Sequence, residues 1–352
     1  IWEQILGIHD IGIDEDFFAL GGDSLDVVSL VTAIQADFEV EVSIEDIYNL
    51  TTPAKQAARI RELAGRGVFS RHPNIVPLQR GASNKNLFLV HAGSGEVANY
   101  YQLCRLLPGN VNYFGIRYIS NCFTAPNPST AEIASHYLRQ VREIQPKGPY
   151  CLAGWCIGGT IAFEIARQLE EIGETVSLLV LINTICPRRW EEYEDSERIF
   201  LSSLVTDPAN DLPGQTSDLN TLWDAAMESV LTGGISEQTL RSSLPQGIKE
   251  TIPNFSGADV KTLVKYLRII RTLHYARASY YPPGVLNASV AFIEAGTNDV
   301  IPNQDANFAA WQRYCTLPVR RSRVEGGHFS IFTAQYINGL AQTLNSLLQQ
   351  AL

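Results

Sequence analysis

The chain has 352 residues, 45% apolar and 18% charged, a composition typical of globular proteins with about two domains. Its net charge of −10 argues against a nucleic-acid partner, and no run of about 20 uncharged apolar residues is present to cross a membrane. With no basic leader at the N-terminus, we expect a cytoplasmic protein. The six cysteines include no CxxC pair, so neither a disulfide framework nor a metal site is indicated.

The first 63 residues form an acidic segment. It contains 13 acidic and 3 basic residues, so it accounts for the whole net charge of −10. Apolar residues recur at helical spacing from Ser24 onward, and Pro53 after two threonines predicts a second helix through Leu63. The charge of this segment is suited either to docking on basic patches of partner proteins or simply to solubility. Residues 64–74 mix glycine, proline and basic residues without periodicity and are predicted to be a linker.

Ser24 stands at the predicted start of the first of these helices, directly behind Gly21, Gly22 and Asp23. Two glycines permit a close approach by another protein, and the free amides of a helix N-terminus stabilise a phosphate on a serine hydroxyl. Serine is also a common helix cap without any further role. By spacing alone, Ser24 is therefore either a phosphodiester attachment site or a cap.

Residues 75–352 alternate apolar strands with helical patterns. The predicted strands cover 86–90, 111–116, 150–154, 176–182, 289–294 and 319–324. One predicted helix follows Glu96, and two others cover 131–144 and 158–169. Continuous apolar strands between helices predict an α/β domain with a mostly parallel sheet and helices on both faces. Residues 187–284 show only helical patterns, at 196–204, 219–231 and 258–281, and are predicted to form a helical lid.

A sharp strand-to-helix turn is predicted around Cys156. The run Gly154-Trp155-Cys156-Ile157-Gly158-Gly159 lies between a strand and a helix, in the G-x-nucleophile-x-G pattern. Small residues on both sides are needed because the nucleophile has a strained backbone. This context predicts a nucleophilic Cys156, whereas Cys104, Cys151, Cys186 and Cys315 are predicted to be structural.

An oxyanion hole is expected next to this turn. The Ile157 amide at the helix N-terminus is one predicted donor, and that helix terminus also favours a thiolate. The second donor is expected from the loop after residues 86–90, where Gly93 and Ser94 are both candidates.

His328 is the predicted imidazole partner of Cys156. It lies in a Gly-Gly-His-Phe run after the last predicted strand. The residue that orients it is either Asn183, at the end of strand 176–182, or Asp299, in the loop after strand 289–294. His274, like the histidines outside these loops, is predicted to be solvated.

The N-terminal segment resembles the peptidyl carrier proteins of nonribosomal peptide synthetases, because LGGDSL follows two phenylalanines within an acidic helical module over residues 1–63. The resemblance implies that a phosphopantetheinyl transferase attaches 4'-phosphopantetheine covalently to Ser24. It also implies upstream condensation and adenylation domains as partners. Since Ile1 would already lie within the carrier's first helix, we expect the chain to be a piece of a longer protein.

Residues 75–352 resemble the type I thioesterases of the α/β-hydrolase family in the turn at Cys156, the HAGSG and AGTNDVIP loops, and the GGHF run. The sequence departs from that family in having Cys156 for serine and Asn183 where aspartate usually stands. Asparagine orients the histidine of papain-like Cys-His pairs. By its position in the family pattern, Asn183 is the favoured orienting residue, and Asp299 is the alternative.

Together, these resemblances predict an enzyme that releases a peptidyl or acyl chain. The chain would pass from the arm on Ser24 to Cys156, and cyclisation or hydrolysis would follow. One alternative is a thioesterase that clears stalled chains by hydrolysis. Another is a catalytically weak module that only binds the carrier.

Overall fold

The N-terminal segment is a small helical unit. The computed structural model describes residues 1–38, 40, 42, 44–65, 72, 74–186, 200, 201, 204, 219–297, 300, 301 and 303–351. The helices of the segment are α1 (Trp2–Leu6), α2 (Ser24–Phe38), α3 (Ile44–Asn49) and α4 (Pro53–Gly65). The predicted helices are α2 and α4, whereas α1 and α3, with 5 and 6 residues, are too short to show a helical period.

An aromatic core holds these helices together. The Trp2 ring packs edge-on against Phe17 with 4.9 Å between centroids, and its indole N–H donates to Gln56 Oε1 at 2.9 Å. Val27 and Leu30 of α2 are fully buried beneath them. Burial of this apolar face therefore links α1, α2 and α4 into one unit.

A twisted seven-stranded sheet forms the centre of the described part of residues 75–351. The strands are β1 (Ile75–Gln79), β2 (Lys85–Val90), β3 (Val111–Ile116), β4 (Tyr150–Trp155), β5 (Val176–Ile182), β6 (Val290–Ala295) and β7 (Arg320–Val324). Their order is β1-β3-β2-β4-β5-β6-β7, and all neighbours are parallel except β1 and β3. This confirms the predicted α/β class.

Strand β1 was not predicted from the sequence. It lies at the sheet edge, pairs antiparallel with β3, and contains Pro77, which cannot donate a ladder hydrogen bond. A short strand with a central proline has a weak strand signal, and its partner is supplied only by the assembled sheet.

Helices cover both faces of the sheet. They are α5 (Asn99–Arg105), α6 (Thr130–Ile144), α7 (Ile157–Glu171), and, after the lid, α12 (Gln304–Gln312) and α13 (Ile337–Ala351). Two apolar clusters separate them from the strands, one on each side of the sheet. Because strands β2 to β6 are buried on both faces over most of their length, their sequences read as continuous apolar runs.

The described part of the lid is helical, with α8 (Leu219–Leu231), α9 (Glu237–Ser243), α10 (Gln246–Thr251) and α11 (Val260–Ala278). Helices α8 and α11 match two of the predicted lid helices, whereas most of the predicted helix 196–204 lies outside the described residues. The lid has an apolar core of its own, and α11 packs on α6 and α7. None of the described helices combines the length and the apolar character needed to span a bilayer.

The helical unit contacts the α/β domain at two places. Helix α2 packs against α5, and the Tyr101 hydroxyl of α5 donates to Tyr48 of α3. On the lid side, Asn254 Nδ2 donates to the Ile5 carbonyl oxygen at 3.0 Å. The unit therefore touches both the body of the α/β domain and its lid.

Candidate active site

Three glycines make the turn at Cys156 possible. A Cβ atom on Gly154 would overlap the Gly158 carbonyl group, and one on Gly158 would overlap the His91 carbonyl oxygen. A Cβ atom on Gly159 would overlap the Thr184 side chain. The strand and the helix therefore pack more closely than any side chain at these positions would permit.

The backbone of Cys156 has the strained geometry of a nucleophile elbow. Its φ and ψ angles are 57° and −124°, a region that residues other than glycine rarely adopt. The Cys156 amide donates to the Ile182 carbonyl oxygen at 3.0 Å, which ties the turn to the end of β5. Held in this way, the partly exposed Cys156 side chain stands between β4 and the N-terminus of α7.

His328 and Asn183 lie beside Cys156 and are both buried. His328 is hydrogen-bonded to the Cys156 sulfur, and Asn183 Nδ2 donates to His328 Nδ1 at 2.8 Å. Asn183 has a φ of 40°, and its Oδ1 accepts from the Ala295 amide at 3.3 Å. The structure thus brings together three of the residues singled out in the sequence.

Asp299, the alternative orienting residue, lies outside the described residues. The neighbouring end of β6 is described, and there the Ala295 amide contacts Asn183. Of the two candidates, the contact with the His328 imidazole is therefore described for Asn183, at the end of β5.

The surroundings of Cys156 favour a thiolate. Burial by itself raises the pKa of the Cys156 thiol, but the interaction with His328, the charge of Arg277 and a hydrogen bond from the Ile157 amide outweigh it. The net pKa of Cys156 lies below the ordinary value of a thiol. By contrast, burial raises the pKa of Cys104, Cys151 and Cys315.

One amide donor lies at the sulfur, and the loop after β2 is the expected source of a second. The Ile157 amide, the donor expected from the sequence, bonds to the Cys156 sulfur in this structure. On the opposite loop the Gly95 amide donates to the Ala92 carbonyl oxygen at 3.1 Å, which leaves Gly93 and Ser94 as the candidates for the second donor. Ser94 Oγ accepts from the Glu96 amide at 3.3 Å and so shapes this loop.

Two aromatic residues, Tyr100 and Trp155, contact the strand ends and the histidine of the site. The Tyr100 hydroxyl donates to the Val90 carbonyl oxygen at 2.7 Å and accepts from the Trp155 amide at 2.9 Å, so it links the ends of β2 and β4. The Trp155 ring lies 5.3 Å from the His328 ring between centroids. Sequence reasoning did not assign either residue this role, since tyrosine and tryptophan in such runs look like ordinary core residues.

The prediction that His274 is solvated was wrong. Its Nε2 atom lies 3.7 Å from the position that a Cβ atom on Gly93 would occupy, so it faces the loop after β2 that holds the candidate donors Gly93 and Ser94. Burial, and then the charge of nearby Arg277, lowers the pKa of His274 to about 3. Apolar and polar residues alternate closely along α11, so the sequence did not indicate that the face carrying His274 is covered by the domain.

Ser24, the predicted attachment residue, is the first residue of α2. The Asp26 amide donates to Asp23 Oδ1 and the Asp23 amide donates to Asp26 Oδ2, both at 3.0 Å. This reciprocal pair of Asp23 and Asp26 caps the N-terminus of the helix. Gly21, with a φ of 98°, has no atom within 4 Å of its Cβ position, so the surface before Ser24 is open. An open turn before a helix N-terminus fits a phosphodiester-linked arm.

Comparison with known proteins agrees with this division of the chain. The model of the family "Thioesterase domain" matches residues 85–348, and the model "Phosphopantetheine attachment site" matches residues 1–60. The chain belongs to the thioesterase family. This thioesterase domain is thus joined to a carrier segment for covalent 4'-phosphopantetheine.

Several relatives of this thioesterase are synthetases. The malpibaldin synthetase of Mortierella alpina is 24% identical over 354 residues, which cover 100% of this chain and 6% of that protein. A dimodular nonribosomal peptide synthase of Bacillus subtilis is 28% identical over 261 residues, 73% of this chain and 11% of that protein. The thioesterase chain therefore spans only a small part of the length of these relatives.

A solved structure matches both parts of the chain. It is a four-domain nonribosomal peptide synthetase bound to AMP and glycine, with a TM-score of 0.59 and 25% identity over 98% of this chain and 25% of that one. The Vlm2 thioesterase domain, bound to a dodecadepsipeptide, has a TM-score of 0.53 and 20% identity over 78% of this chain and 97% of that one. The similarity to the Vlm2 domain shows a shared fold.

Proposed function

We propose that this chain releases a peptidyl or acyl chain at the end of a nonribosomal peptide synthetase. The acyl group would arrive as a thioester on a phosphopantetheine arm at Ser24. Cys156 would accept it, and an internal nucleophile or water would then free the product. The observation that carries this proposal is the contact of Cys156 with His328 and of His328 with Asn183, next to a joined carrier segment.

The first step is a thioester exchange. The Cys156 thiolate attacks the carbonyl carbon of the carrier-bound thioester, a new C–S bond forms, and the bond to the pantetheine sulfur breaks with its electron pair leaving on that sulfur. One thioester replaces another, so this step is close to thermoneutral. The acyl group keeps its reactivity for the second nucleophile, which a serine ester would partly lose.

Peptide mapping distinguishes this pathway from its alternatives. A phosphopantetheinyl transferase would load the full chain from an acyl-coenzyme A, and mass spectrometry after acid quenching and digestion would locate the acyl group. In the native chain we expect it first on the Ser24 peptide and then on the Cys156 peptide. The Cys156→Ala variant should hold it on Ser24, whereas Cys122→Ala, a change at another partly exposed cysteine, should behave as the native chain.

The carrier role has its own matched pair of variants. Ser24→Ala should abolish loading by the transferase, and Ser29→Ala on the same helix should leave it intact. Ser24→Ala should still accept an acyl group on Cys156 from free acyl-pantetheine. An acyl group that never leaves Ser24 in the native chain would instead favour a module that only binds the carrier, and release from Cys156→Ala at the native rate would exclude Cys156 as the acceptor.

The reactivity of Cys156 is a second, independent test. Because the pKa of Cys156 is lowered, its alkylation by iodoacetamide should remain fast at pH values where an ordinary thiol, with a pKa of about 8.5, is protonated. A midpoint at the ordinary thiol value would contradict an activated nucleophile.

A further inference from the structure

The side chain of His91 is bound at both ring nitrogens. His91 is fully buried at the end of β2, its Nδ1 atom lies 2.7 Å from the Ala92 carbonyl oxygen, and its Nε2 atom lies 2.9 Å from the Tyr137 hydroxyl oxygen. A carbonyl oxygen only accepts hydrogen bonds, so Nδ1 carries a proton and donates to Ala92. Burial lowers the pKa of His91 to about 4, so the ring is neutral at physiological pH and Nε2 accepts from Tyr137.

The Ala92 carbonyl oxygen accepts two hydrogen bonds. Besides His91 Nδ1 at 2.7 Å, the Gly95 amide donates to it at 3.1 Å. Gly95 is held in turn, because its carbonyl oxygen accepts from the Tyr118 amide at 2.8 Å. The Ala92 carbonyl group therefore cannot turn away without losing both of its donors.

The direction of this carbonyl group also sets the direction of the Gly93 amide. The Ala92 C=O and the Gly93 N–H belong to one peptide unit, and in a planar trans peptide these two groups point in opposite directions. Since the C=O points toward the His91 ring and the Gly95 amide, the Gly93 N–H points away from them. Among the described residues, no protein group accepts a hydrogen bond from the Gly93 amide, so it is available to a ligand atom.

This peptide unit lies next to the nucleophile elbow. A Cβ atom on Gly158, two residues after Cys156, would overlap the His91 carbonyl oxygen, so the loop after β2 abuts the start of α7. The Ser94 amide is not fixed in the same way, because no described residue donates to the Gly93 carbonyl oxygen. Of the two candidates for the second oxyanion donor, Gly93 is therefore the one with a fixed direction.

We propose that His91 is a positioning residue of the thioesterase reaction. By holding the Ala92 carbonyl oxygen, it turns the Gly93 N–H toward the oxyanion that forms when Cys156 attacks the thioester. The Gly93 amide is then the second oxyanion donor, beside that of Ile157. Donors that are oriented before the acyl group arrives need no reorganisation in the transition state, and this is the source of their effect on the rate. The inference rests on the function proposed above, in which Cys156 accepts the acyl group.

The test compares two reactions of Cys156 in the full chain. Acylation by a free acyl-pantetheine thioester passes through an oxyanion, whereas alkylation by iodoacetamide is a displacement at a saturated carbon and forms none. A residue that positions an oxyanion donor should affect acylation alone. A residue that only maintains the fold or the thiolate should affect both reactions. Mass spectrometry of the Cys156 peptide measures both rates at pH 7, and circular dichroism verifies the fold of each variant.

Three variants separate the two hydrogen bonds of the His91 ring. The glutamine amide of His91→Gln lies near the position of Nε2, so this variant keeps a partner for Tyr137 and loses the donor to Ala92. Its saturating rate of acylation should fall about tenfold to a hundredfold, with the half-saturating thioester concentration and the alkylation rate unchanged. His91→Asn, whose amide nitrogen lies near the position of Nδ1, should recover most of the acylation rate. Tyr137→Phe removes the other hydrogen bond of the ring and should leave both rates at native values.

A further variant acts on the donor itself. Gly93→Pro has no amide hydrogen at this position and should lower the acylation rate by about a hundredfold or more, and the alkylation rate far less. An acylation rate in His91→Gln equal to that of the native chain, or equal losses of acylation and alkylation, would overturn the inference. Such a result leaves the proposed function standing. A native chain in which Cys156 accepts no acyl group would contradict that function instead.

Discussion

At the scale of single residues, the contact between Asn183 and His328 sets the chemistry of the site. An amide N–H facing Nδ1 leaves the proton on Nε2, so the imidazole can donate to the sulfur but cannot readily take a proton from water. Thioester exchange needs no such proton transfer, because one thiolate replaces another. The residue pair therefore fits acyl transfer better than hydrolysis.

This arrangement predicts the effect of Asn183→Asp. The carboxylate would hold a proton on Nδ1 and free the Nε2 lone pair to act as a base toward water once the acyl group is on Cys156. We expect the acyl-enzyme to hydrolyse about tenfold faster, or more, than in the native chain. Single-turnover mass spectrometry of the acylated Cys156 peptide measures this rate, and a slower hydrolysis would show that Asn183 does not restrain the imidazole.

His91 makes stability depend on pH. It is fully buried, with Nε2 bonded to the Tyr137 hydroxyl at 2.9 Å, and burial lowers its pKa to about 4. In the unfolded chain a histidine has a pKa of about 6.5, so between these two values the unfolded state binds the extra proton. The free energy of unfolding should therefore fall as the pH drops from about 6.5 to 4, by up to about 3 kcal/mol from this residue.

Urea unfolding at pH 7 and pH 5 would measure this contribution. His91→Gln, which cannot titrate, should lose less stability between the two pH values than the native chain. His9→Gln, a change at an exposed histidine, serves as the control. Equal losses in His91→Gln and the native chain would contradict a buried neutral His91.

At the scale of elements, the turn between β4 and α7 depends on close backbone approach. Gly158 faces the His91 and Val90 carbonyl oxygens, which belong to the backbone and cannot turn aside. Gly158→Ala should therefore lower the free energy of unfolding by about 2–3 kcal/mol, the usual cost of overpacking, and should slow Cys156 alkylation. Gly109→Ala, where a Cβ atom would meet nothing within 4 Å, should change neither. Thermal unfolding and alkylation rates measure the two effects. A Gly158→Ala variant that matches the Gly109→Ala control in both would contradict this role of Gly158.

The predicted elements agree with the structure where the signal is local. Strands β3 and β5 have the predicted bounds because they are central, apolar and flanked by polar turns. Helix α6 begins one residue before its predicted start, behind the capping box of Ser129 and Glu132. Strand β1 and helix α3 carry weak local signals and depend on their tertiary partners, so the sequence did not predict them.

At the scale of the whole molecule, the carrier segment touches the thioesterase domain through the packing of α2 on α5, within a shared apolar cluster, and through hydrogen bonds at two places. Tyr48 accepts from the Tyr101 hydroxyl on α5, and Asn254 of the lid reaches the Ile5 carbonyl oxygen. Each hydrogen bond contributes about 1 kcal/mol, so the pair stabilises the docked carrier only modestly.

The double variant Tyr48→Phe/Asn254→Gly should loosen this contact without disturbing either fold. Glycine tolerates the φ of 46° at position 254, and Phe keeps the stacking of residue 48 on Phe18. Acyl transfer from the Ser24 arm to Cys156 should slow roughly tenfold, whereas transfer from free acyl-pantetheine should stay at the native rate. Equal effects on both donors would mean that the change acts on the active site and not on docking.

Sequence alone determined the α/β class, the turn at Cys156 and the positions of His328 and Asn183, because each depends on a local pattern of glycines, strand ends and turn residues. The tertiary structure decided which groups share the site. His274 reaches it only because the lid folds back over the sheet, and the direction of the Asn183 carboxamide toward His328 follows from a hydrogen bond between β6 and Asn183. Distances and hydrogen-bond directions between remote segments arise from packing, and no local spacing encodes them.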